Sequence, residues 1–224
     1  MHVVGSEAAY APFEFVDEKT GEYRGFDIDL INAIGKEMGV KVEIKNIAWD
    51  GLRPALLNKE IDCIISAMTI TDERAQVVTF SDPYFTAGQV ICARKGSTIK
   101  GVADLVNVKV GVQANTTGHY AVQKIEGMKD ENISKFETTP DAFQALINGS
   151  VHAVVADIPV VLEFIKNNPT ANVTTIGGAF TVEYYGIAMR KEDTELHAKI
   201  NQALAKVKAS GEYQAIYEKW FGKG

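Results

Sequence analysis

The chain has little of several things, and each scarcity excludes a class. Two cysteines in 224 residues rule out a disulfide-built scaffold. Four histidines, His2, His119, His152 and His197, show no metal-ligand spacing, so they read as surface or structural, and no metal site and no cofactor are expected. No apolar run reaches the length of a membrane span. No Ser-His-Asp, P-loop or zinc pattern is present. Low-complexity tracts, sequence repeats and a long flexible linker are missing too. Basic residues are in deficit, with a formal net charge of -6, which disfavours nucleic acid and anionic membrane as partners. Met1 is followed directly by a strand-like segment, with no secretory leader; if the protein is exported, this is its mature part.

What is present suits a globular protein of one or two domains: 46% hydrophobic and 23% charged residues, enough for a sizeable core. Short apolar runs alternate with amphipathic stretches almost throughout. That pattern predicts an α/β protein with mainly parallel sheets. His2-Val3-Val4-Gly5, Lys41-Val42-Glu43-Ile44, Ile61 to Ile65, Val108 to Val112 and His152 to Val155 read as strands. Phe26 to Met38, Pro140 to Ile147, Asp157 to Asn167 and Thr194 to Ala209 keep helical spacing; Gly211 ends the last of these, and Glu212 to Phe221 begins another. Cys63 and Cys92 sit inside apolar runs, where buried free thiols are the plain reading and a disulfide is the other; the spacing does not select it.

The most informative stretch is Ser66-Ala67-Met68-Thr69-Ile70-Thr71-Asp72-Glu73-Arg74, closing as Phe80-Ser81-Asp82-Pro83-Tyr84-Phe85. An apolar strand ends in small hydroxyl residues, a helix begins with Thr71 as N-cap, and an arginine stands three residues on. Backbone N–H groups, a threonine hydroxyl and a guanidinium then converge at one strand end, which is what a free carboxylate needs when it leaves water. Read alone, an arginine in a first helical turn is more often a solvated charge. The whole run closely resembles the motif of bacterial periplasmic polar-amino-acid-binding proteins, the solute-binding family 3 that feeds ABC transporters. Phe26-Asp27-Ile28-Asp29 and the ending Tyr213 to Phe221 resemble that family as well, so the likeness spans the chain.

The resemblance implies the type II periplasmic-binding-protein fold: two α/β lobes joined by two short hinge strands. Residues 1–86 and 185–224 would form the first lobe and 87–184 the second, with crossings at Phe85 to Gln89 and Thr181 to Gly186. It implies a non-catalytic binder of a free L-amino acid, closing over its ligand and docking on membrane permease subunits, as a monomer. The location would be periplasmic, or extracellular and lipid-anchored in a Gram-positive source.

An amino acid buried with its two main-chain charges needs a cation and donors for the carboxylate and a carboxylate for the ammonium. Arg74 is the carboxylate clamp, since a guanidinium engages two oxygens at once. Thr69 and Ala67 supply a hydroxyl and backbone groups beside it, within Ser66, Ala67, Met68 and Thr69. Gln113-Ala114-Asn115-Thr116-Thr117-Gly118 carries a strand into a small-residue loop and a helix, with N–H groups pointing outward at its start. Gln113, Thr116 and Thr117 are the contacts expected there; otherwise the segment is a polar cap. The family usually has glycine where Asn115 stands, and asparagine tolerates the left-handed backbone that glycine would adopt.

Asp157 occupies a plain N-cap position before Ile158-Pro159; by resemblance it receives the ammonium. Tyr10 and Trp49, at strand-to-helix turns, are the family's aromatic sandwich for the side chain, whereas Phe13 reads as core. Glu7, which alone would read as a solvated carboxylate, and more weakly Glu183, face the ligand's distal end by the same likeness. Acidic groups around an aromatic slot favour arginine, then lysine. Glutamine is the alternative, although glutamine binders often carry a basic residue where Gln113 stands. A cyclohexadienyl-dehydratase-like enzyme on the same fold would need a pocket acid, for which Glu7 is the candidate. A receptor or sensor-kinase ligand domain is a third reading, which the closing Trp220-Phe221-Gly222 disfavours. Phe26-Asp27-Ile28-Asp29 reads as helix start and surface.

Overall fold

The computed structural model describes residues 2–223. The chain divides into two compact units: one holds the residues up to Thr86 together with those from Tyr184 on, the other is Ala87–Glu183. The chain passes between them within two short strands, Phe85–Ala87 and Glu183–Tyr185.

The first unit is built on a five-stranded sheet in the order Val42–Asn46, His2–Ser6, Cys63–Ile64, Ala188–Arg190, Val78–Phe80. The first three strands are parallel, with Val4 opposite both Ile44 and Cys63. The last two run against their neighbours. Gly5 sits where the Trp49–Leu57 helix crosses the sheet; a Cβ there would lie 2.5 Å from Ile61 Cδ1 and 3.1 Å from Leu52 Cδ2. Phe26–Met38 forms the helix that its periodicity predicts and buries Ile28, Leu30, Ile31 and Ile34 against the sheet side. It packs with the Thr194–Ala209 and Glu212–Phe221 helices. The last helix is pinned by Trp220 Nε1 and Lys219 Nζ, which donate to Asp29 Oδ2 at 2.8 and 2.9 Å. Phe13, fully buried, stands edge-on to Phe26, Phe85 and Tyr185, with ring centroids 5.0–6.0 Å away. Aromatic pairs at that spacing add to the area term.

The second unit repeats the scheme: Ile133–Phe136, Val110–Gln113, Ala153–Asp157, Gln89–Arg94, Val173–Ile176. Again three strands are parallel and the last two antiparallel to their neighbours. Val90, Ile91, Cys92 and Ala93 form a continuous apolar run buried on both faces.

Mainly parallel sheets are therefore only half right. In each unit the strand next to the parallel trio is supplied by chain that has just crossed over, and it enters in the opposite direction. A further antiparallel ribbon, Ala9–Tyr10, Glu14–Val16 and Tyr23–Arg24, is too short and too polar to register as strand in the sequence. Both cysteines are free and buried, and burial pushes each thiol up to about 12, so both are inert at neutral pH.

Within each parallel trio the middle strand comes first in sequence. The chain goes from it to one neighbour and then crosses back to the other, and such a reversal of strand order marks the carboxyl ends of the middle strand and the third as the place for a ligand crevice. In the first unit those ends lead to Glu7–Tyr10 and Ser66–Arg74. In the second they lead to Gln113–Thr117 and Asp157.

Candidate ligand site

In the first unit the two strand ends are tied together. Glu7 N donates to Ser66 Oγ at 3.0 Å, and Trp49 N donates to Glu7 Oε2 at 3.2 Å. Glu7 is buried, which excludes the solvated reading. Its carboxylate serves the start of the Trp49–Leu57 helix, where Ala48 at the N-cap has no side-chain acceptor to offer. Thr71 caps its helix as expected, taking Arg74 N at 3.1 Å. The Arg74 guanidinium turns back onto the same segment: Nη1 donates to Thr69 O at 2.9 Å, and Cζ lies 5.4 Å from the Trp49 ring centre, a cation–π distance. Glu7, Trp49, Ser66, Thr69 and Arg74 are thus joined in one patch. Tyr10 stacks on Phe13, with centroids 6.3 Å apart and planes 25° apart.

The segment under Arg74 is held from below. Ser66 Oγ donates to Glu14 Oε1 at 2.6 Å. Ala67 adopts left-handed backbone, φ 45°, and its N–H donates to Asp27 Oδ2 at 2.7 Å. Met68 O accepts from Gly186 N at 3.0 Å. The expectation that Ala67 offers its backbone N–H to a ligand is therefore corrected: that group is committed to Asp27. Asp27, expected at the surface, is completely buried, as is Glu14. Burial is the main reason both carboxyls are pushed up, Asp27 to about 7 and Glu14 well above the usual carboxylate range; the Asp27 charge pushes Glu14 further.

In the second unit, Asn115 takes the left-handed conformation, φ 62°, in place of the family's glycine. Three of the segment's N–H groups have partners. Asn115 N donates to His119 Nδ1 at 3.0 Å, His119 N to Thr116 Oγ1 at 3.2 Å, and Ala114 N to Phe136 O at 2.8 Å. The Gln113 amide is anchored at both ends, donating to Glu137 O at 3.1 Å and accepting from Thr139 Oγ1 at 2.9 Å.

Asp157 stands at the N-cap position of the Ile158–Asn167 helix, but its side chain does not cap it. Asp157 Oδ1 accepts from Gln89 Nε2 at 2.5 Å. The same Gln89 Nε2 reaches Glu183 Oε1 at 3.3 Å and Thr117 Oγ1 at 3.4 Å. Glu183 also accepts from Thr117 Oγ1 at 2.5 Å and from Thr181 Oγ1 at 2.7 Å. Thr117, Asp157 and Glu183 are thus gathered about one fully buried glutamine. Gly118 makes room for it, since a Cβ there would lie 2.7 Å from Gln89 Oε1. Gln89 was missed from sequence, where it reads only as the end of a crossing. The available signal was a glutamine opening a strand whose next four residues, Val90 to Ala93, are all apolar, a position that demands a buried partner. Glu14 and Asp27 were missed because their burial comes from the packing of segments distant in sequence.

Among the described residues no cluster of His, Cys, Asp and Glu could hold a metal ion, and no helix is long and apolar enough to cross a membrane. The family model of the bacterial extracellular solute-binding proteins, family 3, matches residues 2–223. A probable histidine-binding protein of Neisseria gonorrhoeae is 43% identical over 225 residues, covering 100% of this chain and 84% of that protein. The solved arginine-, lysine-, histidine-binding protein ArtJ of Geobacillus stearothermophilus superposes with a TM-score of 0.94 at 47% identity, covering 99% of this chain and 95% of that one. An ancestral arginine-binding protein bound to glutamine gives a TM-score of 0.93 at 50% identity, covering 99% and 98%. With the family model matched along nearly all of its length, and with the type II periplasmic-binding-protein architecture of those structures, the chain belongs to the bacterial extracellular solute-binding proteins, family 3.

Proposed function

We propose that this chain is the non-catalytic solute-binding component of an ABC importer and takes a free L-amino acid with a basic side chain, L-arginine first. The observation that carries the reading is a division of charge between equivalent places in the two units. The third parallel strand of the first unit leads to a guanidinium, Arg74, and that of the second ends in a carboxylate, Asp157, beside a second one, Glu183. A zwitterion with an extra distal cation answers both charges. In this reading Arg74 and Thr69 hold the α-carboxylate and Asp157 the α-ammonium. Glu7 and Glu183, with the faces of Tyr10 and Trp49, meet the side chain, while Ser66, Ala67, Met68, Gln113, Thr116 and Thr117 shape the walls. The ligand engages both units, which close over it by bending at the two crossings. Permease subunits as partners, a monomeric state and a place outside the cytoplasmic membrane, periplasmic or lipid-anchored, belong to the same reading.

Named relatives support the basic choice: one is a probable histidine-binding protein and another binds arginine, lysine and histidine. A second reading, glutamine, is favoured by the ancestral arginine-binding protein bound to glutamine. Calorimetry with L-arginine, L-lysine, L-histidine and L-glutamine separates the two. We expect L-arginine to bind most tightly; tighter glutamine binding replaces the first reading with the second, and no binding of any amino acid sinks both. Small-angle scattering tests closure, which requires a smaller radius of gyration at saturating ligand.

A further inference from the structure

The buried acids beneath the Arg74 patch have no role in amino-acid recognition as described above. Glu14 and Asp27 lie in different segments, one in the short antiparallel ribbon and one in the first turn of the Phe26–Met38 helix. Each holds one residue of the segment that leads to Arg74: Glu14 takes the Ser66 hydroxyl and Asp27 takes the Ala67 N–H. Their other oxygens, Glu14 Oε2 and Asp27 Oδ1, together with the Tyr84 hydroxyl, have no hydrogen-bond partner among the described residues. These groups are nonetheless close enough to act on one another. Two buried carboxyls that act on each other, with no cation among the groups acting on them, do not both stay ionised. One proton supplies the missing donor, and the Tyr84 hydroxyl supplies a second.

We propose that Glu14 and Asp27 are a proton-sharing positioning pair for the ligand carboxylate, locking Ser66 and Ala67 so that Thr69 and Arg74 are presented in a fixed geometry. The proposal rests on the reading of Arg74 as the carboxylate clamp. The titratable groups facing the pair are Glu7, whose charge acts on Glu14; Tyr84, which acts on Asp27; and Tyr213 from the last helix, which feels Asp27. All are acids, so none of them offers a positive charge that would allow both carboxyls to ionise. Burial raises both carboxyls, so at neutral pH the pair as a whole keeps a proton.

The sign of the pH effect follows. The unfolded chain releases the Glu14 proton near its ordinary value of 4.5, whereas the folded protein retains it. The stability this proton contributes is complete below that value and falls as pH rises, about tenfold in the folding equilibrium per pH unit, until the buried carboxyl itself ionises. Glu14→Gln keeps a donor and an acceptor but cannot titrate. Denaturant titrations between pH 5 and 7 should therefore show wild type losing stability relative to Glu14→Gln with that slope; parallel profiles overturn the shared proton.

Positioning is read separately, by calorimetry with L-arginine. Glu14→Ala should weaken binding about tenfold, as expected when a buried hydroxyl and its loop lose their acceptor, and Glu14→Gln should restore it. Wild-type affinity in Glu14→Ala, with stability alone reduced, overturns the positioning role. If Glu14→Ala does not fold, carbon-13 NMR of the wild-type carboxyls decides: a proton held on Glu14 or Asp27 at pH 7 supports the pair, and both carboxyls ionised at pH 7 overturns it. Arg74→Ala measured alongside keeps the two claims apart. Loss of binding there with none in Glu14→Ala fails the pair alone, whereas retained binding in Arg74→Ala fails the clamp itself.

Discussion

The two units share a sheet order and differ in what stands at the strand ends. In the first, the middle and third parallel strands are tied by Glu7 and Ser66, supported from below by Glu14 and Asp27, and topped by Arg74. In the second, the same positions carry a polar loop anchored to neighbouring segments and a carboxylate, and the polar centre is a neutral glutamine. Topology alone places a crevice at these ends in both units. The charge of each crevice is decided by a few residues, and the buried supports differ accordingly. A guanidinium patch rests on buried acids, and a carboxylate pair rests on an amide that donates to both acids without adding charge. No sequence repeat links the units, so the common scheme is visible only in the strand order.

The largest effect should come from removing the opposed charges. Arg74→Ala and Asp157→Ala are each predicted to cost about 2–5 kcal/mol of L-arginine binding, because each strands a buried charge of the ligand. Calorimetry that finds wild-type affinity in either variant breaks the division of labour between the units. Gln89→Leu is predicted to cost about 1–3 kcal/mol of stability in the ligand-free protein, since the buried acceptors gathered on that amide lose a donor. Denaturant unfolding checks it; a neutral outcome would mean that Asp157 and Glu183 hold their places without the glutamine.

Much of this was legible in the chain and some of it was not, for physical reasons. The Phe26–Met38 and Thr194–Ala209 helices appear where their apolar period lies, because helix amphipathicity is a local pattern. Thr71 caps and Arg74 follows for the same reason: the cap geometry is set within four residues. Strand direction was not legible. Ala188–Arg190 and Gln89–Arg94 are antiparallel to their neighbours because of where the chain has been, and no local pattern encodes that. The partners of the site candidates were not legible for a similar reason. Glu7, Asp157 and Glu183 were identified as site candidates by residue type and position. Their partners Trp49 N, Gln89 and Thr117 are contributed by distant segments. Glu7 shows the consequence: a carboxylate assigned to a ligand also serves a helix start.

That double duty sharpens a smaller prediction. Glu7→Gln keeps an oxygen for Trp49 N and so leaves the helix start intact, but it removes the charge. The advantage of L-arginine over L-glutamine should shrink by about 1–2 kcal/mol, the difference between a charge-assisted and a neutral hydrogen bond, while glutamine affinity holds. Competitive calorimetry with both ligands reads this directly. An unchanged arginine affinity would move the distal subsite from the first unit to Glu183 in the second.

The smallest effect compares two left-handed residues that follow parallel strands, one in each unit. Ala67 at φ 45° follows the third parallel strand of the first unit, and Asn115 at φ 62° follows the middle one of the second. Alanine has a Cβ and no side-chain group that hydrogen-bonds locally, so the left-handed backbone costs it roughly 1–2 kcal/mol; asparagine tolerates the same conformation far better. Glycine removes the Cβ penalty at both places but adds unfolded-state entropy, which offsets part of the gain. Ala67→Gly should therefore raise stability by a few tenths to about 1 kcal/mol, and Asn115→Gly should leave it nearly unchanged. Thermal unfolding of the two variants gives the comparison. If Ala67→Gly destabilises instead, the Ala67 methyl packs well enough to outweigh its backbone strain, and the hold of Asp27 on the Ala67 N–H is then only one of the restraints on that segment.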